Sequence, residues 1–303
     1  MKLSGVLLLA CAALVCQSCF TGVEGTGKIN LSKKDMVALA PKEEDLFLNS
    51  ISLQPLGDWQ QGKRFYVTDE RLNLLFSGAP IKLLPGDILT FESEGPYIDA
   101  DGQQKTSIIF SSKGESFNLK IDRPFEEARS SINSSDIGMM IDADVIEAIS
   151  KKLVGKDLWT KSALWLDDSL KYKKGKKFNK VTVTQVLPGN TFYPIVVRFK
   201  SDAGEEGAYL MALAASSNSG HGFGNLFSFR NPRENYKNIS SEVWEIICNE
   251  GLRAGMTKEE CRISRGNPSD VDMGHNYSNA VEIWSYPDGT FLQFVDGLLV
   301  NFK

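Results

Sequence analysis

The most informative segment of this sequence is Gly255-Met256-Thr257-Lys258-Glu259-Glu260-Cys261. Thr257 and Glu260 are three residues apart, which is the spacing of a capping box, in which each side chain accepts a hydrogen bond from the other residue's backbone amide. This spacing predicts a helix that begins after Thr257 and ends at Gly266. Pro268 prevents the helix from resuming.

A second helix is predicted just upstream of this segment. Ser240 is a suitable N-cap, and Ile239 and Trp244 have the spacing of a hydrophobic staple. An apolar face follows the cap and contains Val243, Trp244, Ile247 and Cys248. The turn between Gly251 and Met256 then reverses the chain. We therefore predict a helix, a tight turn and a second helix.

Three β-type runs follow the helices: Val281 to Tyr286, Thr290 to Val295, and Leu298 to Phe302. Pro287-Asp288-Gly289 and Asp296-Gly297 separate them, and Asp-Gly between apolar runs is a strong hairpin signal. Neither helix can bury its apolar stripe alone, so both should cover one face of the sheet. Residues 238–303 are thus predicted to form an α-α-β-β-β domain.

These residues carry a family resemblance. The capping-box segment, Gly266-Asn267-Pro268, Trp284-Ser285-Tyr286 and Phe294-Val295-Asp296-Gly297 resemble the SmpA/OmlA-like lipoprotein domain of the outer-membrane β-barrel assembly machinery. The resemblance covers about residues 239–303 and implies a fold and a role in protein–protein interaction, without implying a reaction. The chain differs from that family at Cys261 and in its upstream modules. As a whole it resembles uncharacterised Bacteroidetes lipoproteins.

Cys248 and Cys261 lie late in the first helix and early in the second. An antiparallel helical hairpin brings such positions close together, so the spacing favours a disulfide in an oxidising compartment. The alternative is a pair of buried free thiols that pack as small apolar groups.

The chain upstream is predicted to be mostly strands and turns, in a first β-rich module (46–141) and a second module preceded by a helix (142–230). Asp144 is the expected cap of that helix, Val145, Ile149 and Leu153 share its apolar face, and Gly155 ends it. The predicted fold class is therefore α+β: two small β-rich modules with one intervening helix, then the α-α-β-β-β domain.

The two modules have the pattern of a repeat. Gly62-Lys63-Arg64-Phe65-Tyr66 corresponds to Gly155-Lys156-Asp157-Leu158-Trp159, and Leu84-Pro85-Gly86-Asp87 to Leu187-Pro188-Gly189-Asn190. The second correspondence requires a longer loop in the second copy, which we place at residues 171–177. We interpret both modules as copies of a small β-barrel or β-sandwich, for which an SH3-like fold is one candidate. The alternative is a coincidence of common turn residues.

The N-terminus is typical of a lipoprotein signal. Lys2 is followed by an apolar stretch from Val6 to Val15, which is too short to span a bilayer but suits secretion. Ser18-Cys19 favours lipidation at Cys19 after removal of residues 1–18, with residues 19–45 as a tether. Phe20 favours the outer membrane over the inner, with the protein facing the periplasm. The alternative is an ordinary signal peptide and no anchor.

Composition limits the classes of function. The formal net charge of −4 gives no footprint for nucleic acid. The two histidines, His221 and His275, belong to no zinc motif, and both are predicted to lie in loops. We therefore expect no catalytic residue, metal or cofactor, and we expect partners among envelope proteins, with the membrane reached only through the anchor.

Several residues are candidates for an interaction surface. Trp159 and Trp165 could line a groove for a peptidoglycan or glycan fragment, although tryptophans more often anchor a core. Tyr286 and Phe291 could form a docking face on the C-terminal sheet, as an inhibitor of an envelope hydrolase would require. The lysine-rich run at 171–177 could contact lipid headgroups, but a solvated hairpin tip is the simpler interpretation. The leading hypothesis is a non-enzymatic envelope scaffold; the glycan-binding lipoprotein and the inhibitor are its rivals.

Overall fold

The computed structural model of the protein describes residues 43–78, 80–213, 220–276 and 279–303, all of which belong to one compact unit, Pro41–Lys303. These residues form helices and three antiparallel sheets, which confirms the predicted α+β class with β-rich modules. The predicted signal peptide, Cys19 and the tether as far as residue 42 lie outside the described residues.

After a short helix, α1 (Glu43–Leu46), the chain enters a first module with the sheet order β4-β3-β2-β1-β5. Its core is aromatic: the rings of Trp59 and Phe110 each contact those of Phe65 and Phe91. Its elements are β1 (Arg64–Val67), β2 (Ile88–Ile98), β3 (Gln104–Ser112), β4 (Glu115–Ile121), α2 (Phe125–Ser131), α3 (Ser134–Ile137), β5 (Met140–Asp142) and two 3-10 turns (Leu56–Asp58, Glu70–Leu75).

The second module begins with the intervening helix, whose apolar face is buried as predicted at Val145, Ile149 and Leu153. Its sheet has the order β12-β6-β9-β10-β11-β7-β8. Its elements are α4 (Ala143–Leu153), β6 (Asp157–Thr160), β7 (Leu164–Leu166), β8 (Tyr172–Lys174), β9 (Lys180–Pro188), β10 (Ile195–Ser201), β11 (Glu206–Met211), α5 (Phe223–Leu226) and β12 (Phe227–Ser228).

The two modules share a pattern of backbone hydrogen bonds. The Gly62 N–H donates to Phe91 O (2.8 Å), and the Gly155 N–H donates to Val183 O (2.9 Å). A one-residue bulge follows Phe91 in β2, and another follows Val183 in β9. In both modules a short helix precedes the last strand, and that strand pairs with the first. This shared topology supports the SH3-like interpretation.

The predicted equivalence of the two Leu-Pro-Gly segments is wrong. Leu84-Pro85-Gly86 precedes β2, whereas Leu187-Pro188-Gly189 ends β9. The true counterpart of Asp87 is Asn179, since Asp87 O accepts from Val67 N–H (2.8 Å) and Asn179 O accepts from Thr160 N–H (3.0 Å). The connections before β2 and β9 are thus nearly equal in length, and no longer loop is needed.

The predicted boundary at residue 46 also needs correction. Phe47, Leu48, Ile51 and Leu53 pack into the core of the second module, although they precede the first in sequence. The ring of Phe47 lies 4.9 Å from that of Phe223 in α5. The segment after α1 therefore belongs to the second module.

The helix α4 begins earlier than predicted. Asp142, and not Asp144, is its N-cap, because its carboxylate accepts from the Asp144 N–H (2.9 Å). The same carboxylate forms an ion pair with Lys63 (2.7 Å), and both side chains are buried. One aspartate thus joins the last strand of the first module to the first helix of the second.

The C-terminal domain has four strands, where three were predicted, in the order β13-β14-β15-β16. The missed strand contains His275, which therefore lies in a strand rather than a loop; its backbone is paired with Ala280. The elements are a 3-10 turn (Pro232–Asn235), α6 (Ser241–Cys248), α7 (Lys258–Arg265), β13 (Asp270–Asn276), β14 (Asn279–Ser285), β15 (Phe291–Val295) and β16 (Leu298–Phe302).

The caps of both helices form as predicted. The Val243 N–H donates to Ser240 Oγ (3.2 Å). In the capping box, the Glu260 N–H donates to Thr257 Oγ1 (3.2 Å) and the Thr257 N–H donates to Glu260 Oε2 (2.7 Å). Local sequence was sufficient here because the interacting groups lie within one helical turn.

The predicted disulfide is absent: Cys248 and Cys261 are free, buried thiols. Cys261 packs in the domain core with Trp284 and Tyr286. Cys248 follows the core residue Ile247 in the sequence. It is buried outside the domain core, near charged side chains. The helical hairpin therefore gives the two sulfurs different surroundings.

Both thiols should be unreactive in the native protein. Burial raises the pKa of Cys248 to about 11 and that of Cys261 to about 12, and the thiolate is the reactive form. Iodoacetamide at pH 8 should leave both unmodified in the native state and label both after unfolding in urea without reductant. Peptide mass spectrometry checks this. A cross-linked peptide pair that alkylates only after reduction would show that the two cysteines do form a disulfide.

Candidate interaction surface

The C-terminal sheet is covered by helices on one face only. Trp284, Leu292, Phe294 and Leu299 are buried against α6 and α7 in the domain core. Because side chains alternate along each strand, the residues between them point to the opposite face. This outer face consists of Asp270, Asp272, Gly274, Val281, Ile283, Ser285, Phe291, Gln293, Val295, Leu298 and Asn301.

Five of the eleven residues of the outer face are apolar, and all five lie on β14, β15 and β16. Ile283 is 37% exposed and Leu298 47%, while Val281, Phe291 and Val295 are half-buried. Directly opposed residues align these side chains in rows, since Val281 pairs with Val295 and Val295 with Leu298. Exposed contiguous apolar surface of this kind marks interaction sites.

The charge around this face is acidic. Residues 239–303 contain five basic and ten acidic residues, a net charge of −5. Asp270 and Asp272 are exposed at the edge of the outer face. None of the outward-facing residues within the four described strands is Lys or Arg.

The helix side of the sheet neutralises its carboxylate. Glu282 pairs with Lys258 and accepts from Trp284 Nε1 (2.5 Å). Burial alone raises the pKa of Glu282, but these hydrogen bonds outweigh it and hold the pKa below its usual value. On the outer face, by contrast, Asp270 and Asp272 form none of the ion pairs found between the described residues.

The two predicted docking aromatics lie on opposite faces. Phe291 is half-buried on the outer face, paired with Ser285. Tyr286 is buried in the core, and its hydroxyl donates to Gly266 O (3.1 Å). The prediction that Tyr286 forms part of the surface is therefore wrong, because residues 285 and 286 alternate across the sheet.

The predicted aromatic groove does not form. Trp165 is buried, with its ring edge-on to Phe199 at 5.1 Å and its Nε1 donating to Ser162 O (3.2 Å). Trp159 is half-buried in β6, a strand that is not adjacent to β7. Gly175 and Gly207 both lie against the indole of Trp165, and a Cβ at either would overlap it. These glycines make room for a core tryptophan.

A polar groove of about 500 Å³ does lie on the outer side of β7, β10 and β11. Its charged groups pair among themselves: Arg198 with Asp168 (3.1 Å), and Lys173 with the backbone oxygen of Glu206. No exposed aromatic lines it. Nothing in this groove favours a glycan.

The lysine-rich run is not simply a solvated tip. Tyr172–Lys174 forms β8, but Lys177 is directed into the C-terminal domain. The Lys177 N–H donates to Cys248 O at the end of α6 (2.8 Å), and Nζ donates to Ile263 O and Ser264 O near the end of α7 (both 2.9 Å). The Nζ cation thus lies at the C-terminus of α7, where the helix dipole favours positive charge.

Neighbouring residues complete this junction between the second module and the C-terminal domain. Phe178 stacks on Trp244 at 5.2 Å, and Lys176 forms an ion pair with Glu245 (2.6 Å). Burial lowers the pKa of Lys177. The sequence reasoning missed this junction because its partners lie about 70 to 90 residues away.

Replacing Lys177 by Met should destabilise the protein by about 1.5–3 kcal/mol, since a charged donor to two buried carbonyls is lost. Lys174→Met, an exposed position in the same run, is the matched control and should change stability by less than about 0.5 kcal/mol. Urea denaturation measures both. Equal effects of the two substitutions would show that Lys177 is as dispensable as a surface lysine.

The remaining sites offer no chemistry that the structure can assign. His221 has its Nδ1 2.9 Å from Leu210 O and its ring stacked on Tyr193. Within the described ranges, no three His, Cys, Asp or Glu side chains gather as metal ligands. No helix among those same residues is long and apolar enough to cross a bilayer.

Known proteins offer no guide to this surface. No protein-family model, no curated protein and no solved structure matches the chain. The resemblance of residues 239–303 to the SmpA/OmlA-like domain stays a prediction. The assignment of function therefore rests on the geometry of the C-terminal sheet.

Proposed function

We propose that the protein is a non-enzymatic scaffold of the cell envelope that binds a partner protein through the outer face of its C-terminal sheet. In this proposal Cys19 carries the lipid anchor and holds the chain at the outer membrane, facing the periplasm. The two SH3-like modules act as a spacer fixed to the C-terminal domain through Lys177 and Phe178.

The observation that carries the proposal is the uncovered apolar patch that β14, β15 and β16 form on the outer face of the sheet. Ile283, Phe291, Val295 and Leu298 lie on it together, whereas the helices bury the opposite face. A soluble domain does not ordinarily leave such a row in water unless another surface covers it. The resemblance to the SmpA/OmlA-like domain points in the same direction.

The charge indicates the chemistry of the partner. An apolar face bordered by Asp270 and Asp272, on a domain of net charge −5, is complementary to an apolar surface bordered by Lys or Arg. Charge at the rim mainly affects the association rate and its salt dependence. Binding should therefore weaken as salt is raised.

The test compares Leu298→Asp with Leu74→Asp in capture from detergent-solubilised envelope. Leu298 lies on the outer face, while Leu74 is an 82% exposed leucine of the first module and provides the matched control. A partner should be retained by the wild-type protein and by Leu74→Asp, and lost with Leu298→Asp. Titration of the purified partner should show at least about a tenfold loss of affinity for Leu298→Asp, or about 1.4 kcal/mol.

The same experiment decides against the rival functions. Retention of the partner by both variants, or its loss with both, would show that the outer face is not the specific binding surface. Sedimentation of the protein with purified cell wall, without any protein partner, would favour the glycan-binding alternative. Recovery of a hydrolase whose activity falls on binding would favour the inhibitor alternative, with Phe291 as a docking residue.

A further inference from the structure

The exposed sheet edges of this protein differ in how they are protected. The edge of β16 is occupied near its start, where Gly255 N–H donates to Leu299 O and Leu299 N–H donates to Met256 O (both 2.8 Å). The edge of β4 is partly covered by Phe76, which bridges to Leu119. The edge strand β8 is only three residues long and rich in lysine. Short, covered or lysine-rich edges resist pairing with other chains.

The strand β13 lacks these protections. It spans seven residues, and no strand among the described ranges pairs with its second edge. It contains no lysine, no proline and no bulge in its pairing with β14. An open edge of this length is a template for an added strand.

The direction of the backbone groups at this edge follows from the ladder. The Tyr286 N–H donates to Thr290 O (2.9 Å), so the even-numbered residues before it in β14 direct their backbone groups toward β15. The odd-numbered residues of β14 therefore direct theirs toward β13. The residues of β13 opposite them are Asp270, Asp272 and Gly274. Val271 and Met273 therefore point their N–H and C=O groups away from β14, toward the open edge.

The side chains at the edge alternate in character. Val271 pairs with Trp284 and so lies on the helix side, as does Met273, which is 75% exposed. Asp270 and Asp272 point to the outer face and are exposed. An added strand would meet apolar side chains on one face and carboxylates on the other.

From this arrangement we infer that β13 accepts an extended segment of the partner in which apolar residues alternate with Lys or Arg. The apolar residues pack beside Val271 and Met273, and the basic residues lie beside Asp270 and Asp272. The inference rests on the proposed function, since it names the part of the partner that binds. A second copy of this chain is a poor occupant because its edge has the same two aspartates.

The test uses the full chain and two nine-residue peptides as probes, one alternating lysine with valine and the other alternating glutamate with valine. Fluorescence anisotropy measures affinity, and hydrogen exchange measures protection of the Val271 and Met273 amides. The lysine peptide should bind at least about tenfold more tightly than the glutamate peptide and slow exchange at both amides.

Met273→Pro removes one outward N–H and leaves the ladder with β14 intact, since proline is tolerated where the N–H faces away from the sheet. It should weaken lysine-peptide binding at least about tenfold, whereas Met273→Ala should weaken it by no more than about threefold. Asp272→Lys provides a second variant in case Met273→Pro does not fold. It should abolish the preference between the two peptides, because Asp270 and the introduced ammonium then offset each other.

Equal affinity for both peptides, or unchanged binding by Met273→Pro, would overturn the inference. Concentration-dependent protection of the two amides without peptide would overturn it in favour of self-pairing. Failure of the proposed function is separable: Leu298→Asp reports on the outer face, three strands from this edge, and should leave peptide affinity within about twofold.

Discussion

Replacing Lys63 by Met is expected to lower the free energy of unfolding by about 3–5 kcal/mol, because it leaves Asp142 buried without its cation. The Lys63 and Asp142 side chains are only 4% and 3% exposed, and Lys63 also bonds to Asp144 (2.6 Å). Burial alone lowers the pKa of Lys63, but the two carboxylates outweigh it and raise the pKa. The lysine therefore stays charged inside the protein.

The stability lost on replacing Lys63 by Met should be larger at neutral pH than at acidic pH. Burial raises the pKa of Asp142 even beside Lys63, and loss of the lysine, whose ion pair lowers that pKa, should raise it further and penalise the folded protein at neutral pH. The penalty disappears as pH falls through that folded pKa, so the deficit should narrow between pH 7 and pH 4. Denaturant unfolding at both values measures it.

Two further variants make the Lys63 result specific. Lys82→Met removes an exposed ion pair with Glu70 and should cost no more than about 1 kcal/mol. Lys63→Met combined with Asp142→Asn should be more stable than Lys63→Met alone, because asparagine keeps the cap without the buried charge. A Lys63→Met protein as stable as the Lys82→Met protein would contradict the conclusion that Lys63 forms a buried ion pair with Asp142.

Replacing Trp165 by Ala is expected to cost about 3–5 kcal/mol, the loss typical of a large aromatic removed from a core. The indole fills space that Gly175 and Gly207 leave open beside Phe199. Urea denaturation followed by circular dichroism measures the change. If Trp165 lined a ligand groove, its removal would reduce ligand binding and leave stability nearly unchanged.

Trp159→Ala is the matched control for this prediction. Trp159 belongs to the same module but is only half-buried, so its removal should cost clearly less than that of Trp165. Equal losses at the two positions would mean that the packing around Trp165 is not as tight as the Gly175 contact requires.

The features predicted correctly from sequence are those set by neighbouring residues. The Ser240 cap and the Thr257–Glu260 box form within one turn, so local chemistry determines them. The Gly62 and Gly155 segments were matched correctly because each glycine adopts a positive φ just before a strand. The Leu-Pro-Gly match failed because the same turn residues serve at the start of one strand and the end of another.

The features that were missed depend on distant contacts. The docking of Lys177 on two helix ends is invisible until residues 248, 263 and 264 are brought to it. The burial of Trp165 depends on gaps left by two glycines. The strand β13 did carry a local signal, the alternation in Asp270-Val271-Asp272-Met273, but its aspartates and Gly274 are also typical of a loop.

The most direct test of the proposed function is photo-cross-linking in intact envelopes, with the reactive residue placed at Gln293. This position lies in the middle of the outer face, and Lys120 on β4 is the control position. The account predicts one protein adduct from position 293 that is absent from position 120 and is lost when Leu298→Asp is added. No adduct from position 293, or the same adduct from both positions, would contradict it.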